Sequence, residues 1–173
     1  MLTVLYRFIF NIKIILMVID MLKIFLFVMF FSFSVFGEEV HRAVIDLRIG
    51  DVKKFENSVL KGLSFVIQSY RNKLQDLKVV VVAHGDSYKF FLKNLEKTPY
   101  RHDAELLKRQ KDIKERLENL VKLYGVRFEI CEAGMKSRNL EISNLYPFVK
   151  PVPTALNAVI EWQERGYHYM LFQ

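Results

Sequence analysis

Apolar positions along the chain change period several times, and each change marks a predicted element. Arg42 to Ile49 alternates loosely and carries Ala43, Val44, Ile45 and Leu47, which predicts a first strand. Gly50 ends it, and Asp51 stands where a carboxylate accepts from the free amides of a following helix. Phe55, Val59, Leu63, Val66 and Tyr70 recur at three- and four-residue spacing, the stripe of an amphipathic helix. Gly62 lies inside it at a cost of about 1 kcal/mol against alanine, which close packing against a sheet would explain. Val79-Val80-Val81-Val82-Ala83 is continuous and β-branched, without alternation. Such a strand needs cover on both faces and therefore a central place in a parallel sheet.

That strand stops at His84-Gly85-Asp86, and Tyr88, Phe90, Phe91 and Leu92 then form a short apolar helical stretch, with Pro99 breaking the chain nearby. Asp103 to Tyr124 predicts a long helix with Leu106, Ile113, Leu117, Leu120, Val121 and Tyr124 inward. Its other positions are nearly all charged. Glu105–Arg109, Lys111–Glu115 and Lys114–Glu118 are opposite charges four apart, each worth roughly 0.2–0.5 kcal/mol, and mark a solvated face. Gly125 fits a left-handed helix stop, and Val126 to Ile130 leads as a third strand to Cys131. A short helical turn passes through Met135 and Arg138. Pro147-Phe148-Val149 and Pro151-Val152-Pro153 bracket an irregular or partly exposed fourth strand. Thr154 caps a helix carrying Leu156, Val159, Ile160 and Trp162, and Tyr167 to Phe172 follows Gly166 as the final strand. Strand and helix alternating over short links predict right-handed crossovers and a doubly wound, three-layer α/β domain.

The apolar fraction, 51% of 173 residues, is slightly high for a soluble protein, and the excess sits at one end. Ile24 to Phe36 carries no charge, Lys23 precedes it, and Val35-Phe36-Gly37 followed by Glu38-Glu39 closes it. This is the pattern of a secretory signal, with a core shorter than the roughly 20 residues that cross a bilayer. Residues 1–37 are therefore expected to be an upstream apolar segment plus signal peptide, with translation starting at Met1 or Met21. Residues 38–173 are expected to form one periplasmic or secreted domain. The alternative is a retained membrane anchor over residues 1–36, broken near Asp20 and Lys23. Residues 38–173 hold 23 Lys and Arg against 18 Asp and Glu, spread along the chain. No focused basic face or nucleic-acid motif accompanies that surplus, so no nucleic-acid partner is expected.

Ligands of open parallel sheets gather beyond the carboxyl ends of the strands. His84, Gly85, Asp86 and Ser87 after the second strand share that edge with Cys131 and Glu132 after the third. Cys131 is the only cysteine; three readings stand for it, a buried inert thiol, a reactive thiol, or a bridge between subunits. A helix start following Cys131 favours its thiolate, and Lys136 and Arg138 lie in position to add positive charge. His84 has the chemistry for proton transfer, or for a packed turn; Asp86 is expected to cap the helical stretch beginning near Ser87. No G-x-G-x-x-G, phosphate loop, HExxH or CxxC is present, and His41, His84, His102 and His168 are scattered. A conventional hydrolase or dehydrogenase is unsupported, and no cofactor or metal is expected.

Val79 to Gly85, Leu123-Tyr124-Gly125-Val126, Cys131-Glu132-Ala133-Gly134-Met135, and the ending from Pro151-Val152-Pro153 through Gly166-Tyr167 together resemble the DsrE/DsrF-like family. The resemblance spans essentially Val44 to Phe172. It implies a flavodoxin-like parallel sheet of about five strands and assembly into trimers or hexamers. It also implies a cysteine that carries sulfur as a persulfide, which some members pass on during sulfur oxidation or tRNA modification. By resemblance Cys131 would bear the sulfur, with His84 in the same cleft and Gly85, Asp86, Tyr88, Glu132, Lys136 and Arg138 supporting. The expected function is a periplasmic sulfur carrier that exchanges with a thiol-bearing protein partner. The alternative is an oligomeric interaction or small-ligand-binding module around Tyr88, Phe90, Met135 and Tyr146, with Cys131 buried.

Overall fold

The computed structural model describes residue 13, residues 15–25 and residues 40–173. The chain divides into two units, Met1–Glu38 and Glu39–Gln173. In the first, residues 15–25 are helical. Asp20 and Lys23, the charges that interrupt the apolar run, lie within this helix and pair across one turn at 3.2 Å. The remainder of the signal-type core beyond Phe25, with Gly37, Glu38 and Glu39, lies outside the described residues. Among the described residues, no helix is long and apolar enough to cross a membrane.

The second unit is built on five parallel strands: β1 (Val40–Leu47), β2 (Asp76–Ala83), β3 (Arg127–Cys131), β4 (Val149–Val152) and β5 (His168–Phe172). Their order is β4-β3-β2-β1-β5. β2, the Val79–Ala83 strand, is thus central, as its unbroken apolar run requires. β4, which contains Pro151, is an edge, where a missing donor is tolerated. The sheet shares five parallel strands and flanking helices with flavodoxin-like folds, although flavodoxin itself orders its strands 2-1-3-4-5.

The chain steps one way from β1 to β4, then returns to the far side of β1 for β5. With right-handed crossovers, the last helix must cover the opposite face from the others. α1 (Val52–Phe55), a π-helical turn (Glu56–Lys61), α2 (Gly62–Arg71) and α3 (Ala104–Tyr124) form one layer. α4 (Glu132–Ser137) is a short helix after β3, and α5 (Ala155–Glu164) packs on β1, β2 and β5. Asp51 and Thr154 each accept a backbone amide three residues on, at 2.7 and 3.1 Å, and so cap their helices as their sequence positions predict; Asp103 does the same for α3 at 3.0 Å. Gly125, at φ 69°, ends α3.

Three details depart from the apolar pattern. The π turn adds a residue to the α1–α2 helix and rotates the stripe beyond it. Phe55, Val59, Leu60, Leu63 and Ile67 are buried, while Val66 faces out. Gly62 is not pressed against the sheet; a Cβ there would meet the Asn57 carbonyl of its own helix at 3.3 Å. On α5 the inner face is Ala155, Ala158 and Val159, with Trp162 half-buried, whereas Leu156 and Ile160 are exposed. Trp162 fixes the helix by donating its indole N–H to Glu129 Oε2 at 2.8 Å. On α3, Lys114 pairs with Glu118 at 3.4 Å, but Arg109 turns from Glu105 to Glu56 at 2.7 Å and so ties α3 to the π turn.

Candidate functional site

Because all five strands are parallel, their carboxyl ends share one sheet edge. Leu47 pairs with Ala83, and Ala83 with Ile130, so the next residues in line are Arg48, His84 and Cys131. The His84 amide donates to the Leu47 carbonyl at 3.0 Å and extends the β1–β2 ladder by one step. Along β3, Phe128 meets Phe91 on the α2–α3 side, while Glu129 receives Trp162 of α5 on the other. Side chains alternate along a strand. Cys131, two residues after Glu129, therefore belongs to the α5 face. Val82 stands in register between Asp46 and Glu129, which puts Asp46 and His84 on that face as well.

Cys131 is 8% exposed and is the N-cap of α4, where its Sγ accepts the Gly134 amide at 3.4 Å. Its carbonyl accepts the Tyr88 hydroxyl at 3.1 Å. Tyr88 is fully buried; that burial first, and then its contact with Cys131, raises its phenol well above the usual tyrosine range. The Arg138 guanidinium lies 5.2 Å over the Tyr88 ring. Tyr100 stands beside Arg138, and burial raises its phenol as well. Gly134 is required here: a Cβ on it would fall 1.9 Å from the Tyr88 oxygen.

His84 bonds through Nε2 to Asp46 Oδ1, and Asp46 also accepts from Arg48 and from the Tyr169 hydroxyl at 2.9 Å. Burial pushes the Asp46 carboxyl upward; the donors Arg48, His84 and Tyr169 outweigh it and hold the group below its ordinary value. No hydrogen bond joins His84 to Cys131 directly.

The other expected residues divide. Gly85 adopts a left-handed φ of 64° at the turn after β2, which a side chain would strain. Asp86 caps nothing: His84 holds the N-cap position of the Gly85–Phe91 3₁₀ segment without a side-chain cap, and Asp86 is exposed against Gly50. Ser87 supplies the local bonds instead, donating to the Leu47 and His84 carbonyls. Glu132 and Lys136 lie together on the rim of an open groove of about 580 Å³, lined also by Met135, Leu140, Ile142 and Pro153. Lys136 is exposed and carries no hydrogen bond toward Cys131. Tyr88, Phe90, Met135 and Tyr146, read as a possible binding surface, are all core residues. Only Met135 reaches that groove. Among the described residues no cluster of three or more His, Cys, Asp or Glu could hold a metal ion.

The profile of the DsrE/DsrF-like family matches residues 64–172, well over half the chain. The chain belongs to the DsrE/DsrF-like family. The general role of that family is sulfur handling and sulfur carriage. A protein of unknown function from Methanobacterium thermoautotrophicum, MTH1491, has a solved structure similar to this one. Its TM-score is 0.54 at 18% identity, over 76% of this chain and 98% of that one. At that identity the likeness speaks for the fold alone. No curated protein matches the chain. In this DsrE/DsrF-like chain, Asp46, Arg48 and Tyr169 were not among the residues singled out from sequence. One signal for Asp46 was available: a lone carboxylate inside an apolar strand must find partners when buried.

Proposed function

We propose that this protein handles sulfane sulfur, held as a persulfide on Cys131 and passed by thiol exchange to a cysteine of a partner protein. One observation carries the reading: in a DsrE/DsrF-like chain, the single cysteine ends a strand at the carboxyl-end edge of the sheet, its Sγ bonded to the Gly134 amide. An amide donor favours a negative sulfur, whether thiolate or persulfide anion. The exchange moves sulfur from one sulfur atom to another and uses no cofactor. The full chain, reduced and then exposed to polysulfide, is expected to gain about 32 Da per added sulfur in intact mass, one sulfur being the source of that figure. Cys131→Ser is expected to gain nothing. A folded, reduced wild-type protein that takes up no sulfur from polysulfide or from a small-molecule persulfide would overturn the reading.

A second reading is supported by the burial of Cys131 and by the open groove beside α4: a small-ligand-binding module with an inert thiol. The same mass measurement separates the two. Export remains part of the proposal, on the strength of the Lys23-to-Gly37 pattern. Expressed in a Gram-negative host, the chain is expected to be recovered with its N-terminus at Glu38; recovery with residues 1–37 attached would count against signal removal.

A further inference from the structure

Asp46 is the most densely bonded carboxylate among the described residues, yet it follows the apolar run Ala43-Val44-Ile45 and is only 5% exposed. Oδ1 accepts from Arg48 Nε at 3.2 Å and meets His84 Nε2. Oδ2 accepts from Arg48 Nη2 at 2.7 Å and from the Tyr169 hydroxyl at 2.9 Å. The donors come from β1's own end, from the residue after β2, and from β5. Stability alone does not call for such a group, since a buried ion cluster is often no better than well-packed apolar residues.

What the cluster does accomplish is to commit one nitrogen of His84. A carboxylate accepts only, so Nε2 carries a proton, and in the neutral imidazole Nδ1 is the nitrogen that keeps its lone pair. Among the described residues Nδ1 has no hydrogen-bond partner, and the His84 side chain is 24% exposed. The backbone of His84 is extended, as is that of Cys131, and both follow the last β2–β3 pair, Ala83 with Ile130. Neighbouring strands run about 4.8 Å apart, so His84 and Cys131 occupy adjacent positions on the α5 face, one strand apart.

We infer that Asp46 is a positioning residue: it holds His84 so that Nδ1 is the nitrogen available for proton exchange with the Cys131 thiol. This rests on the reading that Cys131 carries sulfur. In the step it serves, Nδ1 takes the thiol proton and the thiolate attacks the outer sulfur of a persulfide or polysulfide donor. A new S–S bond forms at Cys131. The donor's S–S bond breaks, its electron pair stays on the departing donor sulfur, and the imidazolium returns the proton to that thiolate. No oxidant or reductant enters.

The test reads the tautomer and the thiol separately. Nitrogen-15 shifts of His84 in the wild-type protein are expected to show Nε2 protonated and Nδ1 bare. In Asp46→Asn, the amide oxygen is expected to take the Oδ2 place, where Arg48 and Tyr169 both donate. That turns the NH₂ toward His84, so the proton moves to Nδ1. Alkylation of Cys131 by iodoacetamide at neutral pH is expected to slow about a hundredfold in Asp46→Asn and in His84→Gln alike, the lower end of what a positioned base contributes. A wild-type His84 protonated on Nδ1 overturns the inference, and this measurement needs no variant to fold. So does a folded Asp46→Asn that alkylates at the wild-type rate. Sulfur uptake is scored apart from both. Uptake with unchanged Asp46→Asn alkylation sinks the inference and leaves the carrier reading, whereas the expected tautomers and rates without uptake do the reverse.

Discussion

Phe55→Ala is expected to destabilise the domain by about 3–5 kcal/mol, the range for deleting a buried aromatic side chain. Phe55 is fully buried and stacks on Phe90 with ring centroids 3.8 Å apart and planes at 11°. It meets Phe91 edge-on at 6.1 Å, and Phe91 in turn reaches Phe128 of β3 at 5.5 Å. The run continues through Phe148 to Tyr146. Alanine at position 55 therefore opens a void in the middle of a connected aromatic layer and forfeits two ring contacts, each worth about 0.5–1.5 kcal/mol beyond area burial. The gain in helix propensity on going to alanine is at most about 0.7 kcal/mol and does not compete. Urea denaturation at fixed pH measures the loss. A change below about 1 kcal/mol, which repacking alone rarely achieves for a buried phenylalanine, would mean that the layer closes over the gap.

The consequence reaches the site because Phe90 and Phe91 anchor the same 3₁₀ segment that carries Tyr88 and follows His84. Little of that linkage is visible in sequence, whereas the frame around it is. Val79–Ala83 announces a central strand because its solution requires only local information: five consecutive apolar, mostly β-branched residues tolerate no exposed face. Asp51, Thr154 and Gly125 are legible for the same reason, since a cap acts within three or four residues of itself. Cys131 and His84 are legible as strand ends once the sheet is known to be parallel.

Asp46 is not legible in that way. Its partners lie 2, 38 and 123 positions away, and only the strand order brings β5 beside β1 and β1 beside β2. Glu129 is hidden likewise, since its role depends on Trp162 crossing back with α5. Val66 is misread because nothing in the spacing of apolar residues marks the π turn that rotates the stripe past it. Leu156 and Ile160 have the right spacing for a covered face, but α5 turns Ala155, Ala158 and Val159 to the sheet with Trp162 beside them, so Leu156 and Ile160 fall outside the contact. Tyr88, Phe90, Met135 and Tyr146 suggested a binding surface; in the fold all four are buried, and Met135 and Tyr146 also line open grooves.

Gly134→Ala puts two opposed effects in one residue. Within α4, alanine is the better helix former by about 1 kcal/mol, and Gly134 has no left-handed backbone to lose by the change. Against this, the new methyl group would lie 1.9 Å from the Tyr88 oxygen and 2.9 Å from its Cζ. Tyr88 is fully buried and cannot swing into solvent, so either its ring or the first turn of α4 must shift. Overpacking of this kind costs about 1–3 kcal/mol. If the hydroxyl leaves the Cys131 carbonyl, a further cost of about 1–3 kcal/mol for an unsatisfied buried group is added. The net expectation is a loss of about 1–5 kcal/mol after the propensity gain is set against both costs. Tyr88→Phe in the same background removes the nearest clashing atom but leaves the ring carbon, so partial rescue is expected. A double-mutant cycle should therefore show coupling of about 0.5–3 kcal/mol between positions 88 and 134. Additive losses would show that α4 moves away from Tyr88 as a unit. Because the Gly134 amide is also the donor to Cys131 Sγ, the rate of Cys131 alkylation distinguishes which partner yields. It stays near wild type if the Tyr88 ring shifts, and changes if the first turn of α4 gives way.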